Sequence, residues 1–238
     1  MRMKIDFPDV PEWPAMLLPA VGSRTWLALC LARLGEYGEA LSAAEDAVSA
    51  AERALTLCGH GEEPLYYPRV LGALGAAHAL EGRADRAVEL LEQATAESRA
   101  IRLRYGYAGL LTSLGDACLG AGRFDEASRL AAEAVALTRE RGERGDEGWA
   151  LHLTAEIAAR RRPPEIAKAT AAYREALEIA EGLEMRPLAG RCCLGLGALL
   201  GSTGEVVEAR AHLARGSGLF AALGSLRWQR EAEKLIAR

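Results

Sequence analysis

One phrase recurs along this chain, and it constrains the fold more than any single motif. The phrase is a helix rich in small residues, a glycine, two or three polar residues, and an alanine opening a second helix. It reads LALCLARLGEYGEAL at 27–41, LGAAHALEGRADRAV at 74–88, LGDACLGAGRFDEAS at 114–128 and LGALLGSTGEVVEAR at 196–210. A less regular copy, LTAEIAARRRPPEIAKA, runs over 153–169 and carries Pro163 and Pro164 where the others carry glycine. Aligned on Ala40, Ala87, Ala127, Ala169 and Ala209, the copies lie 47, 40, 42 and 40 residues apart. One helical hairpin cannot bury its own apolar face, but a stack of them can.

Composition supports helices throughout. Ala occurs 47 times and Leu 36 times in 238 residues, whereas Val, Ile and Thr together number 22. Ala and Leu lose little on entering a helix, and strands favour β-branched side chains. The expected fold is all-α: a right-handed superhelix of about five helical hairpins with a C-terminal capping helix over 226–237. Gly35, Gly82, Gly122 and Gly204 stand where a first helix stops and a left-handed cap is needed. Gly75, Gly115 and Gly197, with Ala28 and Ala155, share one position on the first helix, where a missing side chain lets two helices approach closely. Residues 1–20, with prolines at 8, 11, 14 and 19, read as an extended lead-in. Residues 21–238 read as a single repeat domain. The segments 58–68 and 139–148 read as a long loop and a solvated charged connection.

Several function classes fall away. A formal charge of −4, from 29 basic and 33 acidic residues, disfavours a dedicated nucleic-acid binder. The five cysteines are scattered and form no CxxC, so free thiols in a reducing cytoplasm are expected. No apolar run approaches a membrane span, and the N-terminus lacks the apolar region of a secretory signal. The four histidines share no helix face and form no Cys–His metal pattern, so neither a metal nor a cofactor is expected. No GxxxxGK[ST] loop occurs. Gly195-Leu196-Gly197 falls within a helix, away from the strand–turn context of a dinucleotide site. His78 reads as a core histidine, and Cys192-Cys193 as buried thiols. Arg160, Arg161 and Arg162 read as cations at a helix C-terminus.

These residues resemble tetratricopeptide repeats. Leu74-Gly75, Leu114-Gly115 and Leu196-Gly197 match the Leu-Gly step of the first helix, and the five alanines match the second-helix alanine. Tyr37 and Phe124 match the turn aromatic, and Tyr173 matches the second-helix aromatic. The early Trp and late Pro of the pattern are missing, and the period is about 40 rather than 34. The stretches 18–40, 140–205 and 223–235 are similar to the tetratricopeptide tails of bacterial signalling proteins. Those proteins join a class III adenylate/guanylate cyclase or a transcriptional output domain to a STAND-type ATPase. That likeness implies a non-catalytic interaction module, the sensor tail of a signalling protein, in possible intramolecular contact with a cyclase or ATPase domain.

In that family the residue after the small position faces the concave groove, which here means Asp116 and Glu156. Helical spacing brings Arg69, Trp149, His152 and Arg191 on or near the same face. The expected site is therefore a mixed-charge groove with an aromatic anchor that holds a peptide or a partner helix; its alternative is a solvated inner wall. The Lys/Asn set that clamps a C-terminal carboxylate in chaperone-binding relatives is missing. Small-ligand sensing within the solenoid is the second reading. An enzyme is the third, and would need a convergent pocket joining His152, Glu156 and Asp116.

Overall fold

The computed structural model describes residues 67–80 and 82–236, with isolated positions between 27 and 49. The lead-in at 1–20, Gly35, Ala40 and most of the first hairpin lie outside the described residues, as does most of the loop expected at 58–68. Pro68 already lies in a helix, in the first turn where a missing N–H costs nothing.

Nine helices follow one another in the continuously described part, without a strand among the described residues. They are α1 (Tyr67–Leu80), α2 (Ala84–Ala100), α3 (Tyr107–Gly120), α4 (Phe124–Arg141), α5 (Arg144–Arg160), α6 (Ile166–Gly182), α7 (Arg186–Thr203), α8 (Val206–Leu223) and α9 (Leu226–Ile236). The pairs α1/α2, α3/α4, α5/α6 and α7/α8 are hairpins, and each second helix packs on the next first helix. The first helices α1, α3, α5 and α7 also touch in sequence, so they form one continuous wall. The apolar core is a relay: one cluster runs from Ala43 to Ile157, a second from Leu151 to Leu199, and a third from Leu194 to Ala232. This is the all-helical solenoid that the repeat implies.

The hairpin turns close as the glycines predict. Gly82, Gly122 and Gly204 have φ of +86°, +76° and +90°. After Gly122, the Arg123 N–H reaches back to the Cys118 carbonyl at 2.8 Å, satisfying a carbonyl that the helix end leaves unpaired. In the proline-containing copy, the Glu165 N–H reaches the Ala158 carbonyl at 3.0 Å instead.

Gly75 and Gly197 on the first helices are filled from across their hairpins, whereas Leu153 of the next first helix fills the space at Gly115. A Cβ at Gly75 would meet Leu91 at 2.6 Å, and one at Gly197 would meet Leu213 at 2.6 Å and the Ala209 carbonyl oxygen at 3.0 Å. Leu91 and Leu213 each stand four residues past the shared alanine, so one packing rule serves both hairpins. On the second helices, inter-repeat ion pairs recur. Arg99–Glu133 (3.3 Å) and Arg139–Glu175 (2.5 Å) have the same polarity, and Glu181–Arg215 (2.5 Å) reverses it.

The segment 139–148 departs from the expectation of a solvated connection. Helix α4 continues to Arg141 and α5 begins at Arg144. Glu147 is buried, its side chain 2% exposed, and is held by Arg139 Nε at 2.9 Å and an Arg144 guanidinium nitrogen at 2.6 Å. A run of charges looks the same in sequence whether water or a neighbouring helix neutralises it.

Candidate functional site

The wall formed by the first helices gathers most of the residues expected on it. Asp116 on α3 and Glu156 on α5 occupy the same repeat position, one residue past the small position. On α5, His152, Glu156 and Arg160 recur every four residues and so lie on one stripe. Glu156 is the hub. Its carboxylate accepts a hydrogen bond from the Tyr173 hydroxyl on α6 at 2.5 Å and pairs with the Arg160 guanidinium. His152 Nε2 lies 3.8 Å from Glu156 Oε1 and makes no hydrogen bond, although the residue is only 3% exposed. The His152 ring packs edge-on against both Trp149 (6.1 Å between centroids) and Tyr173 (5.7 Å).

Arg191 on α7 completes the wall. Its guanidinium lies 4.1 Å over the ring of Trp228 on α9, and Trp228 in turn stacks on Phe220 of α8 at 5.9 Å. The capping helix thus reaches back to α7. Arg69 does not join this group. It is on α1, with its guanidinium 4.9 Å over the ring of Tyr105 in the loop before α3.

The electrostatics follow from this crowding. Burial pushes the Asp116 carboxyl up to about 6. The Glu156 charge adds to that rise, and Arg191 and Arg160 oppose it. More than a third of Asp116 remains open to water, so its neighbours crowd this carboxyl without sealing it. Burial holds the His152 imidazole well below its usual range. Arg191 and Arg160 reinforce this, and Glu156 only partly offsets it. For Glu156, burial alone would raise the pKa, but His152, the two arginines and the Tyr173 hydroxyl outweigh it and hold the carboxyl below the usual range. Burial, then the Glu156 charge, pushes the Tyr173 hydroxyl far up.

At neutral pH the stripe therefore holds a fixed anion, an uncharged imidazole and a protonated phenol. None of these three is poised to exchange a proton near pH 7, whereas the Asp116 carboxyl, at about 6, lies close to that range. Burial likewise raises the thiols of Cys118, Cys192 and Cys193. His78 is buried as expected. Two surface clefts lie elsewhere. One, of about 880 Å³, sits at the turns around Arg123 and Arg161; the other, of about 540 Å³, lies between α4, α5 and α6. Among the described residues, no group of three His, Cys, Asp or Glu side chains could hold a metal ion. No described helix is long and apolar enough to cross a membrane.

Three members of the cluster were not assigned to the groove from sequence. Tyr173 had been matched only to the family pattern, Arg160 only to a helix end, and Trp228 to nothing. The four-residue spacing of His152, Glu156 and Arg160 was a readable signal. Tyr173 and Trp228 arrive from other helices and carry no such signal.

Comparison with known proteins agrees with this architecture. The tetratricopeptide repeat family model matches residues 21–46, 68–93, 108–137 and 190–215. No curated protein sequence matches the chain. Among solved structures, BtubC (BKLC) from P. vanneervenii is similar at 19% identity with a TM-score of 0.61, covering 92% of this chain and 93% of that one. A Rap protein in complex with Competence and Sporulation Factor is similar at 12% identity with a TM-score of 0.70, covering 97% and 70%. A STAND protein with a tetratricopeptide repeat sensor from Pyrococcus horikoshii is similar at 14% identity with a TM-score of 0.62, covering 94% of this chain and 33% of that one. The repeat model thus matches four segments of the chain, and at these identities the structural likenesses establish the fold alone.

Proposed function

We propose that the chain is a non-catalytic interaction module that holds a segment of a partner protein against its concave wall. The observation that carries this reading is the convergence of Asp116, Trp149, His152, Glu156 and Arg191 from three successive first helices. Buried networks without a binding role are normally self-satisfied. Here an aromatic group, a carboxylate and a guanidinium face one wall, and Trp and Arg are enriched where partners bind tightly. Arg69 belongs to an outlying part of the same surface near Tyr105. The likeness to a STAND protein's repeat sensor and to a peptide-bound Rap protein supports a sensor role within a larger signalling protein, with residues 21–238 acting as one repeat domain in the cytoplasm.

The test is saturable binding of an unrestricted peptide display library to the purified chain. Trp149→Ala and Asp116→Arg are expected to weaken the selected peptides at least tenfold. Equal affinity in both variants would remove the groove from this reading. Small-ligand sensing is the alternative, favoured by the partner-free Nε2 of His152. It predicts stabilisation of the fold by a metabolite, by roughly 2.7 kcal/mol at a hundredfold excess over Kd.

A further inference from the structure

The wall carries two charges of opposite sign that form no direct ion pair with a described residue. Asp116 on α3 makes no hydrogen bond or ion pair with a described residue. Arg191 on α7 pairs with no carboxylate among the described residues, and its cation rests on the face of Trp228. The two influence one another through space, yet α5 stands between their helices. A guanidinium stacked by its face keeps its N–H edges open to a carboxylate. On α5, between the two, His152 turns an unpartnered and almost fully buried Nε2 toward the Glu156 carboxylate. An unsatisfied buried polar atom is costly, so the position marks where a polar partner is missing.

Resting on the groove reading above, we infer that the occupant is a dipolar peptide segment: a lysine ammonium set against Asp116, and the carboxylate of a nearby residue set against Arg191. An ammonium offers three N–H donors. The Asp116 carboxylate supplies acceptors of the kind it needs, and the nearby Glu156 charge adds to the attraction. Arg160 makes its direct ion pair with Glu156 rather than with Asp116. Trp228 holds Arg191 at the other end, so the two ends of the wall have fixed and opposite polarity. The segment therefore binds in one direction only.

The probes are twelve-residue acetylated and amidated peptides in an Ala/Ser/Gln background, each with one Lys and one Glu. The two are separated by zero to six residues and placed in both orders. Binding is read by fluorescence polarisation at pH 7.5, alongside the unrestricted display library. One spacing and one order are expected to bind, with at least a tenfold loss when either peptide charge is replaced by Ala. Asp116→Asn should abolish the dependence on Lys, and Arg191→Gln the dependence on Glu. The double variant Asp116→Arg with Arg191→Glu should prefer the reversed order. If that double variant does not fold, the two single variants decide the matter. Library peptides that bind without regard to Lys, Glu, Asp116 or Arg191 would overturn the dipolar occupant and leave the interaction module standing. Absence of any peptide binding would overturn both.

Discussion

Gly195 on α7 leaves the space that Tyr173 on α6 occupies. A Cβ at 195 would stand 2.3 Å from the tyrosine Cζ, and with that space open the hydroxyl comes to 2.5 Å from Glu156 Oε1. A glycine pair that resembles a nucleotide motif is thus a packing device: Gly195 admits Tyr173, and Gly197 admits Leu213. Gly195→Ala should cost about 1–3 kcal/mol through overpacking. Tyr173→Phe keeps the ring but removes the donor from a buried carboxylate, and should cost about 1.5–3 kcal/mol. Urea unfolding of both variants checks this, and parent-like stability in both would contradict the account.

Glu147 provides a test of buried charge. With Arg139→Met and Arg144→Met combined, its carboxylate would be buried without a partner, and stability should fall by about 3–5 kcal/mol. Adding Glu147→Gln to that double variant should recover part of the loss. The comparison of three melting curves suffices. No recovery would mean that the two arginines act through packing rather than charge.

His152 should govern the acid limb of stability. The folded protein refuses a proton that the unfolded chain accepts below about pH 6.5, so stability falls as pH drops through that point. Glu156 has a depressed folded pKa, and its contribution is lost at still lower pH. Asp116 has the opposite sign. Its folded pKa is raised to about 6, so its contribution declines as pH rises from about 4 to 6. His152→Gln should therefore flatten the stability profile between pH 6.5 and 4.5. Asp116→Asn should stabilise the fold at pH 7 by about 1 kcal/mol, after allowance for screening by water, and the gain should fade near pH 4. Parallel profiles for the parent and His152→Gln would refute the assignment.

The thiols offer a chemical check on the stack. Cys118, Cys192 and Cys193 are buried, and burial raises their pKa values, that of Cys118 and of Cys193 to about 11; Cys30 is exposed. Alkylation at pH 8, followed by mass spectrometry, should label Cys30 readily. The three buried thiols should react at least about a hundredfold more slowly until urea unfolds the chain. Rapid labelling of Cys192 or Cys193 in the native protein would show that α7 is not packed as described.

Much of the fold was legible because its determinants are local. Gly82, Gly122 and Gly204 mark turns by a backbone angle that only glycine adopts freely, and the shared alanines and small residues mark close helix contacts. The site was legible where one helix carries it. Asp116 and Glu156 follow from the repeat position, and His152, Trp149 and Arg191 from helical spacing. Arg69 separated from the others because Tyr105, in a connecting loop, captures its cation. Tyr173 and Trp228 entered because α6 and α9 fold back onto helices that are distant in sequence. The charges at 139–148 read as solvated because a sequence does not show which carboxylate a neighbouring helix will cover.

The order of residues alone determined a stack of helical hairpins, since turn geometry and apolar spacing act over a few residues and repeat along the chain. Tertiary structure decided which charges are spent and which remain. Glu156 pairs with Arg160 and accepts a hydrogen bond from Tyr173, whereas Asp116 makes no direct ion pair with a described residue and Arg191 rests on Trp228. The strength of a charge interaction depends on through-space distance and on the water excluded between the groups, and both are settled only when the hairpins pack.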